Sequence, residues 1–337
     1  MISSGQRKLV LLLIFATFLV ALLGCPLLGS TSISFSKVFQ SWPPLPENRD
    51  AQIFFQVRLA RTLLAGLTGA AMAVAGVIFQ AVLRNPLACP FTLGIAGGSS
   101  FGAVAAIGLG LTAGFSGISM ITLFAFVGAL LSIGMVYSLA SLIRSFSATT
   151  LLLAGVGINY FFSALVLLFY FTADFSQSFA MMHWLMGSLD VVDFASVGGV
   201  TIVFMVSFLI LFSLSRELNL LSAGEELARV KGVPTVQVIL LSVFTASFLT
   251  SSVVALTGPI AFVGLIVPHI CRLLLGNDHR DLLIGSALGG STFLMLCDTL
   301  CRSLFGTTEL PVGVLTALVG VPVLLVLLFK RRTYVQG

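Results

Sequence analysis

Leu9-Val-Leu-Leu-Leu-Ile-Phe-Ala-Thr-Phe-Leu-Val-Ala-Leu-Leu23 is apolar at every position except Thr17. A hydrocarbon core about 30 Å thick requires a helix of about 20 mostly apolar residues, and this run with its flanks meets that length. Strands of a membrane barrel alternate apolar and polar residues. No such alternation occurs here, so a barrel is excluded. The stretch therefore reads as a spanning α-helix, entered from the basic pair Arg7-Lys8. The same basic start, followed by Leu22-Leu23-Gly24-Cys25, is also the outline of a lipoprotein signal peptide. Leu23 is bulkier than such cleavage sites usually accept, which favours a first spanning helix.

The rest of the chain repeats the pattern. Of 337 residues, 58% are hydrophobic and 9% are charged, whereas a soluble domain carries about 25% charged residues. So little charge cannot cover a water-facing surface. The 33 glycines suit close approach of membrane helices. Ten segments emerge, at about 8–28, 56–82, 92–110, 117–142, 150–172, 192–214, 235–256, 260–276, 281–303 and 311–330. The eighth is expected to break at Pro268. Residues 176–187 are too short to cross and read as an interfacial helix. The fold class is all-α and polytopic, a single transmembrane domain over residues 1–337.

Charge distribution orients the spans. With the N-terminus in the cytoplasm, that side holds Arg7, Lys8, Arg84, Arg144, Arg216, Arg229, Lys231, Arg272, Arg280, Lys330, Arg331 and Arg332. The outer side holds Lys37, Arg49, Arg58, Arg61 and Arg302. This asymmetry matches the positive-inside rule, with both ends inside. The net charge of +5 is thus a topology signal and not a nucleic-acid patch. The five cysteines form no CxxC pair or disulfide framework, and the histidines make no zinc-like cluster.

Two polar segments interrupt the spans. Residues 29–52, including Trp42-Pro43-Pro44-Leu45-Pro46, form an outer loop. Residues 215–234 are the longest charged cytoplasmic stretch. There Ser222 and Glu225 are spaced as a capping box, and Gly232 with Pro234 ends the short helix. Such a helix is a docking element for a cytosolic partner or a plain surface loop. Arg58 and Arg61 stand at i and i+3, and Arg302 ends the ninth span. These arginines receive a partner's carboxylates or simply snorkel to the interface. Asp298, one turn from Arg302, is expected to pair with it. Gly76 and Pro86 echo the spacing of Gly258 and Pro268, the kind of paired interruption that repeat-built transporters carry. No lysine follows a glycine, so a Walker A loop is absent, and no Ser/His/Asp or Cys/His set is legible. An ion-coupled secondary transporter would carry ionisable residues deep in its spans. Here Asp298 is the main candidate. A structural membrane scaffold is the third alternative.

Several longer motifs carry a resemblance. They are Gln56-Val-Arg-Leu-Ala-Arg-Thr-Leu-Leu-Ala-Gly66 with Gly69, Gly76 and Gln80; Arg84-Asn85-Pro86-Leu87-Ala88 with Leu93-Gly94; Leu151-Leu-Leu-Ala-Gly-Val156; Gly258-Pro-Ile-Ala-Phe-Val-Gly-Leu-Ile-Val-Pro-His269; Asp278-His279-Arg280; and Glu309-Leu-Pro-Val-Gly313. Together, over about residues 50–330, the chain resembles the permease subunits of type II ABC importers for iron chelates, haem and vitamin B12. Ala60, where many members have proline, and Ala148, in a region often hydroxyl-bearing, depart from the pattern.

The resemblance implies ten spans and a partner permease subunit, most simply a second copy of this chain. It also implies two cytosolic ATPase subunits that hold ATP and Mg, a substrate-binding protein outside, and a bacterial cytoplasmic (inner) membrane. This chain would bind no cofactor and would not itself be an enzyme. Leu221–Val233 would couple to the ATPase, through Leu221, Ser222, Gly224, Glu225, Glu226, Ala228, Arg229 and Gly232. Arg58, Arg61 and Arg302 would dock the binding protein. Ser147, Ala148, Thr149, Thr150, Gly155 and Asn159 would belong to the pathway and its gate. The mechanism implied is alternating access driven by ATP in a separate subunit. The substrate expected is an iron complex, ferric siderophore or haem, with cobalamin or a metal oxyanion as alternatives.

Overall fold

A computed structural model of the chain describes residues 4–38, 48–111, 114–115, 118–143, 148–190, 193–304 and 309–335. The opening run forms α1 (Ser4–Gly24) and ends in a 3₁₀ turn at Cys25–Leu27. The second span is a continuous 34-residue helix, α2 (Arg49–Val82), widened to π geometry over Ile53–Leu59. At 1.5 Å per residue it is about 51 Å long, so it outruns a hydrocarbon core of about 30 Å. Its start lies in what the sequence reads as the outer loop; the Trp42–Pro46 part of that loop lies outside the described residues.

The chain continues through α3 (Ile95–Gly108), α4 (Met120–Leu142), α5 (Ala148–Thr172), α6 (Phe175–Leu185) and α7 (Phe194–Ser213). Two short helices follow, α8 (Ser215–Ala223) and α9 (Glu225–Val230). Then come α10 (Thr235–Thr257), α11 (Val263–Leu275), α12 (His279–Leu304) and α13 (Val312–Val335). Seven of these helices are long and apolar enough to span a membrane, and α3, α11 and α13 are shorter apolar helices. Together they fall on the ten segments read from the sequence. The helix at Phe175–Leu185 matches the expected non-spanning segment. Polar side chains cap the starts: Asp174 Oδ1 accepts from the Gln177 amide at 2.7 Å and Asp193 Oδ1 from the Ser196 amide at 2.9 Å. Both satisfy helix-end donors that would otherwise lack partners.

α2 is the buried centre of the bundle, and small residues put it there. A Cβ on Gly69 would lie 2.1 Å from the Gly290 carbonyl oxygen, and one on Gly290 would lie 2.3 Å from that of Gly69. The backbones of α2 and α12 therefore touch, as small-residue interfaces allow, and Ser291 Oγ donates to the Gly66 carbonyl at 2.8 Å. On another side, a Cβ on Gly76 would lie 1.8 Å from the Gly264 carbonyl oxygen of α11. α1 lies against α12, with Arg7 3.9 Å from Asp281.

The break expected at Pro268 is elsewhere. α11 runs through Pro268 without interruption, and the chain turns before it, where Gly258 (φ +67) and Phe262 (φ +69) take left-handed conformations. The physical reason is local. Proline at position 268 cannot donate to the carbonyl of Gly264, and that freed carbonyl is the one facing Gly76. The missing hydrogen bond falls where two backbones meet, so the helix need not bend.

The bundle has two polar ends. One carries Arg58, Arg61, Arg302 and the 29–31 turn; the other carries α8, α9, Arg84 and the start of α12.

Candidate functional site

At the arginine end, Arg61 is the hub. Its Nε lies 2.8 Å from Asp298 Oδ1, and its guanidinium NH1 lies 2.7 Å from Glu309 Oε2 and 3.2 Å from Asp190 Oδ1. Arg302 Nε is 2.9 Å from Asp298 Oδ2, as the one-turn spacing led us to expect. Asp298 thus holds two guanidinium groups, one on each oxygen, on a side chain with 0% exposure. Arg58 points elsewhere, donating to the carbonyls of Leu27 and Thr31. His183 Nε2 stands 3.6 Å from Asp190 Oδ2.

The sequence reading has these arginines facing a partner. In the folded chain Arg58, Arg61 and Arg302 are 4%, 6% and 5% exposed, and all three are engaged internally. The accessible members of the cluster are the acids Glu309 and Asp190, whose side chains are 40% and 37% exposed. Two cations, Arg61 and Arg302, meet three anions, Asp190, Asp298 and Glu309, so these five groups sum to one net negative charge, while Arg58 is held by the Leu27 and Thr31 carbonyls. Burial of unpaired guanidinium would be costly, and pairing offsets that cost only where the geometry is good. Neither Asp190 nor Glu309 is close to Arg61 in sequence; Glu309 opens one of the motifs that carry the resemblance, but no local pattern pairs it with Arg61, and none marks Asp190. The only signal is that acids at the ends of different spans share one side of the membrane.

At the opposite end, Gly224 divides the charged stretch. Its φ of 146° with ψ of 136° is a conformation that glycine tolerates. It ends α8 and starts α9. Ser222 is therefore in the last turn of α8, and the expected Ser222 cap and capping box with Glu225 do not form. Burial of Leu218 and Leu221 on the core side of α8 carries the helix past residue 222. Glu225 bridges two cations: Arg229 at 2.6 Å and Arg84 at 3.5 Å. Arg229 also reaches Thr235 Oγ1 at 3.1 Å. Leu221 and Ala228 are buried, whereas Ser222, Glu226, Leu227, Arg229, Val230 and Gly232 are exposed. The mixed apolar and charged outer face of α9 has the composition of a docking surface, with Val230 84% exposed. Arg84 sits at φ 45°, a conformation uncommon for a side-chain-bearing residue.

α5 shows a third feature. Leu153, Val156, Tyr160, Leu167 and Phe171 are exposed and recur at helical spacing along one face. Gly155 is turned inward: a Cβ there would lie 2.3 Å from the Thr92 carbonyl oxygen. Asn159 is half-buried against Gly97. Thr149 is exposed and Thr150 half-buried at the start of α5, while Ala148 is its first residue. Ser147 lies outside the described residues.

A glycine-packed helical bundle, polar at two ends and with seven helices long and apolar enough to span a bilayer, defines a multi-pass membrane protein. The match is specific: residues 12–330 fit the FecCD transport family, and the chain belongs to it. It is 34% identical over 337 residues to the hemin transport system permease HmuU of Yersinia pestis, covering 98% of each chain. It is 36% identical to the molybdate import permease MolB of Haemophilus influenzae, over 83% of this chain and 82% of that one. It is 39% identical to the cobalamin import permease BtuC of Halobacterium salinarum, over 82% and 73%. A solved transporter in an inward-facing conformation, described as of the metal-chelate ABC type, superposes with a TM-score of 0.84 at 32% identity. That match covers 96% of this chain and 99% of the other. The chain is thus an ABC importer permease, a transport component. Among the described residues, Asp298 is the only fully buried acid, and two arginines occupy it.

Proposed function

We propose that this permease carries an iron complex, haem or a ferric siderophore, inward across a bacterial cytoplasmic membrane. Haem stands first, and the observation that carries it is the near full-length match to a hemin permease. The apolar face of α5 is in keeping with such cargo, because a bulky, largely apolar complex needs a wall that holds it weakly. A tight site in the permease would retain the cargo instead of delivering it. The same face pairs with a second copy of this chain, so that the pathway lies between two permeases. Thr149, Thr150 and Asn159 border it, with Ala148 and Ser147 at its gate.

The 215–234 end then faces the cytoplasm, with both termini on that side, and α9 seats in a separate ATPase subunit that holds ATP and Mg. Gly224, Glu225, Glu226, Arg229 and Gly232 form the contact, while Leu221 and Ala228 anchor it. The arginine end faces outward. There a binding protein's carboxylates dock by exchange, replacing Glu309 and Asp190 on Arg61, with Arg58 and Arg302 behind. ATP closes the ATPase pair, the coupling segment moves with it, and the two permeases alternate their openings.

The experiment is uptake in proteoliposomes that contain the permease, its cognate ATPase and binding protein. Radiolabelled haem, a ferric siderophore, cobalamin and molybdate are offered in turn. ATP-dependent accumulation of haem or the siderophore is expected. Accumulation of cobalamin or molybdate alone overturns the iron reading.

A further inference from the structure

The polar joint between α8 and α12 lies outside the coupling residues named above. Asn219, in the middle of α8, reaches the start of α12. Its Oδ1 accepts from the His279 backbone amide at 2.9 Å and lies 2.7 Å from His279 Nδ1. A backbone amide only donates, so the atom facing it is the amide oxygen of Asn219. His279 Nδ1 therefore carries the proton of that contact. The other side of the Asn219 amide donates Nδ2–H to Asp278 Oδ1 at 3.1 Å. Asp278 Oδ1 also accepts from the Arg280 amide at 3.1 Å. His279 is only 2% exposed, so water does not compete freely for these bonds.

Besides the Arg229–Thr235 contact at the start of α10, two side-chain polar contacts lead from the coupling segment towards α2 and α12. The Arg84–Glu225 contact to the end of α2 is 3.5 Å long between side chains 48% and 35% exposed, and exposed pairs of this kind contribute little. The Asn219 joint has three short contacts around a buried residue. It also grips a helix that runs the full depth of the bundle. α12 has 26 residues, about 39 Å. At mid-depth it meets α2 backbone to backbone at Gly69 and Gly290. At its far end it supplies Asp298 and Arg302 to the arginine node.

We propose that Asn219 is the positioning residue that transmits motion of the coupling segment to α12, and through α12 to the Arg61–Asp298 node at the opposite end. This rests on the reading of α9 as the ATPase contact. Asn219 need not touch the ATPase; it acts through Asp278 and His279. Displacement of α8 pulls on the start of α12, and the welded α12–α2 pair carries the shift outward.

The test uses the complete permease–ATPase complex and a thiol probe at the arginine end. Leu304→Cys places a thiol at the last residue of α12, which is 59% exposed. Cys25, Cys271, Cys297 and Cys301 are buried and Cys89 is half-buried, so background labelling by a maleimide is low. A non-hydrolysable ATP analogue is expected to change the labelling rate of Leu304→Cys. Asn219→Asp places two carboxylates at hydrogen-bond distance and is expected to abolish that change while the ATPase still co-purifies. Adding Asp278→Asn reverses the polarity of the pair: the new carboxylate accepts from His279 and from the new amide. The double variant is expected to recover the response. A merely structural role would lower the yield of complex and would not follow this swap. Three outcomes overturn the proposal: no nucleotide response in the Leu304→Cys parent, a normal response in Asn219→Asp, or no recovery in the swap. The α9 reading is tested separately, since Gly224→Trp should lose the ATPase; retention of the ATPase there refutes that reading whatever Asn219 does.

Discussion

Asp298→Asn and Glu309→Gln remove equal charge from the same arginine, yet should have unequal effects. Asp298 is 0% exposed and contacts Arg61 at 2.8 Å and Arg302 at 2.9 Å. Breaking a buried pair by neutralising one partner typically costs about 3–5 kcal/mol, because the remaining charge is left desolvated. Asparagine fills the same space, so no cavity adds to this, and Arg61 retains Glu309 at 2.7 Å. Arg302, 5% exposed, loses its acid and keeps the Thr299 hydroxyl at 3.3 Å, so the expected cost is about 3–5 kcal/mol. Glu309 is 40% exposed, and solvent-exposed pairs contribute only about 0–1 kcal/mol. Unfolding of the purified permease by SDS in mixed micelles measures both. The two differ also in function. Glu309→Gln takes a carboxylate off Arg61 and cancels the node's one net negative charge, so a docking carboxylate meets less repulsion and a less occupied guanidinium. A gain of about 1 kcal/mol corresponds to about fivefold tighter binding, readable by titration of the cognate binding protein. Equal stability losses in the two variants would refute the burial argument. Unchanged or weaker binding-protein affinity in Glu309→Gln would refute docking by exchange. This pair is a cleaner test than Arg61→Glu, which would set a fourth carboxylate beside three others and disrupt folding.

Gly76→Ala is expected to destabilise by about 3 kcal/mol or more, at or beyond the usual upper range for overpacking. The new Cβ would meet a backbone oxygen at 1.8 Å, which no rotamer change can relieve. Gly134→Ala, with nothing within 4 Å, serves as the tolerated control, and folded yield in detergent compares them; equal yields would contradict the backbone contact. For Asp278, burial raises the carboxyl pKa, but the Asn219 side chain, the Arg280 amide and the charges of Arg280 and Arg7 hold it below the ordinary value of 3.8. A depressed folded-state value means that the stabilisation is present above the unfolded pKa and is lost as pH falls through the folded one. The stability gap between the parent and Asp278→Asn should therefore be constant near neutrality and shrink only in acid below about 3.8. A gap that widens on acidification would reverse the assigned sign.

Much of the architecture is legible in the residues because the bilayer imposes so few solutions. A run such as Leu9–Leu23 has to be a spanning helix, since hydrocarbon leaves no partner for its backbone groups except itself. The lengths of such runs mark the spans, and turn-forming residues mark their ends. The Asp298–Arg302 pair is legible for the same reason: one helical turn is a local distance.

What the sequence could not decide is which way a side chain faces once ten helices pack. Arg58 and Arg61 look alike as outer-end cations, yet one turns to the Leu27 and Thr31 carbonyls and the other to Asp298, Glu309 and Asp190. Gly155 lies within a pathway motif but faces the core, while Leu153 and Tyr160 beside it are exposed. Pro268 marks a break by local rules, but the Gly76–Gly264 contact lets α11 pass straight through it. Composition and periodicity alone determined the spans and their polar ends, because each span answers to the bilayer individually. Partners such as Asn219 with His279, sixty residues apart, were decided only by tertiary packing, because a buried polar group takes whichever partner the neighbouring helix brings within reach.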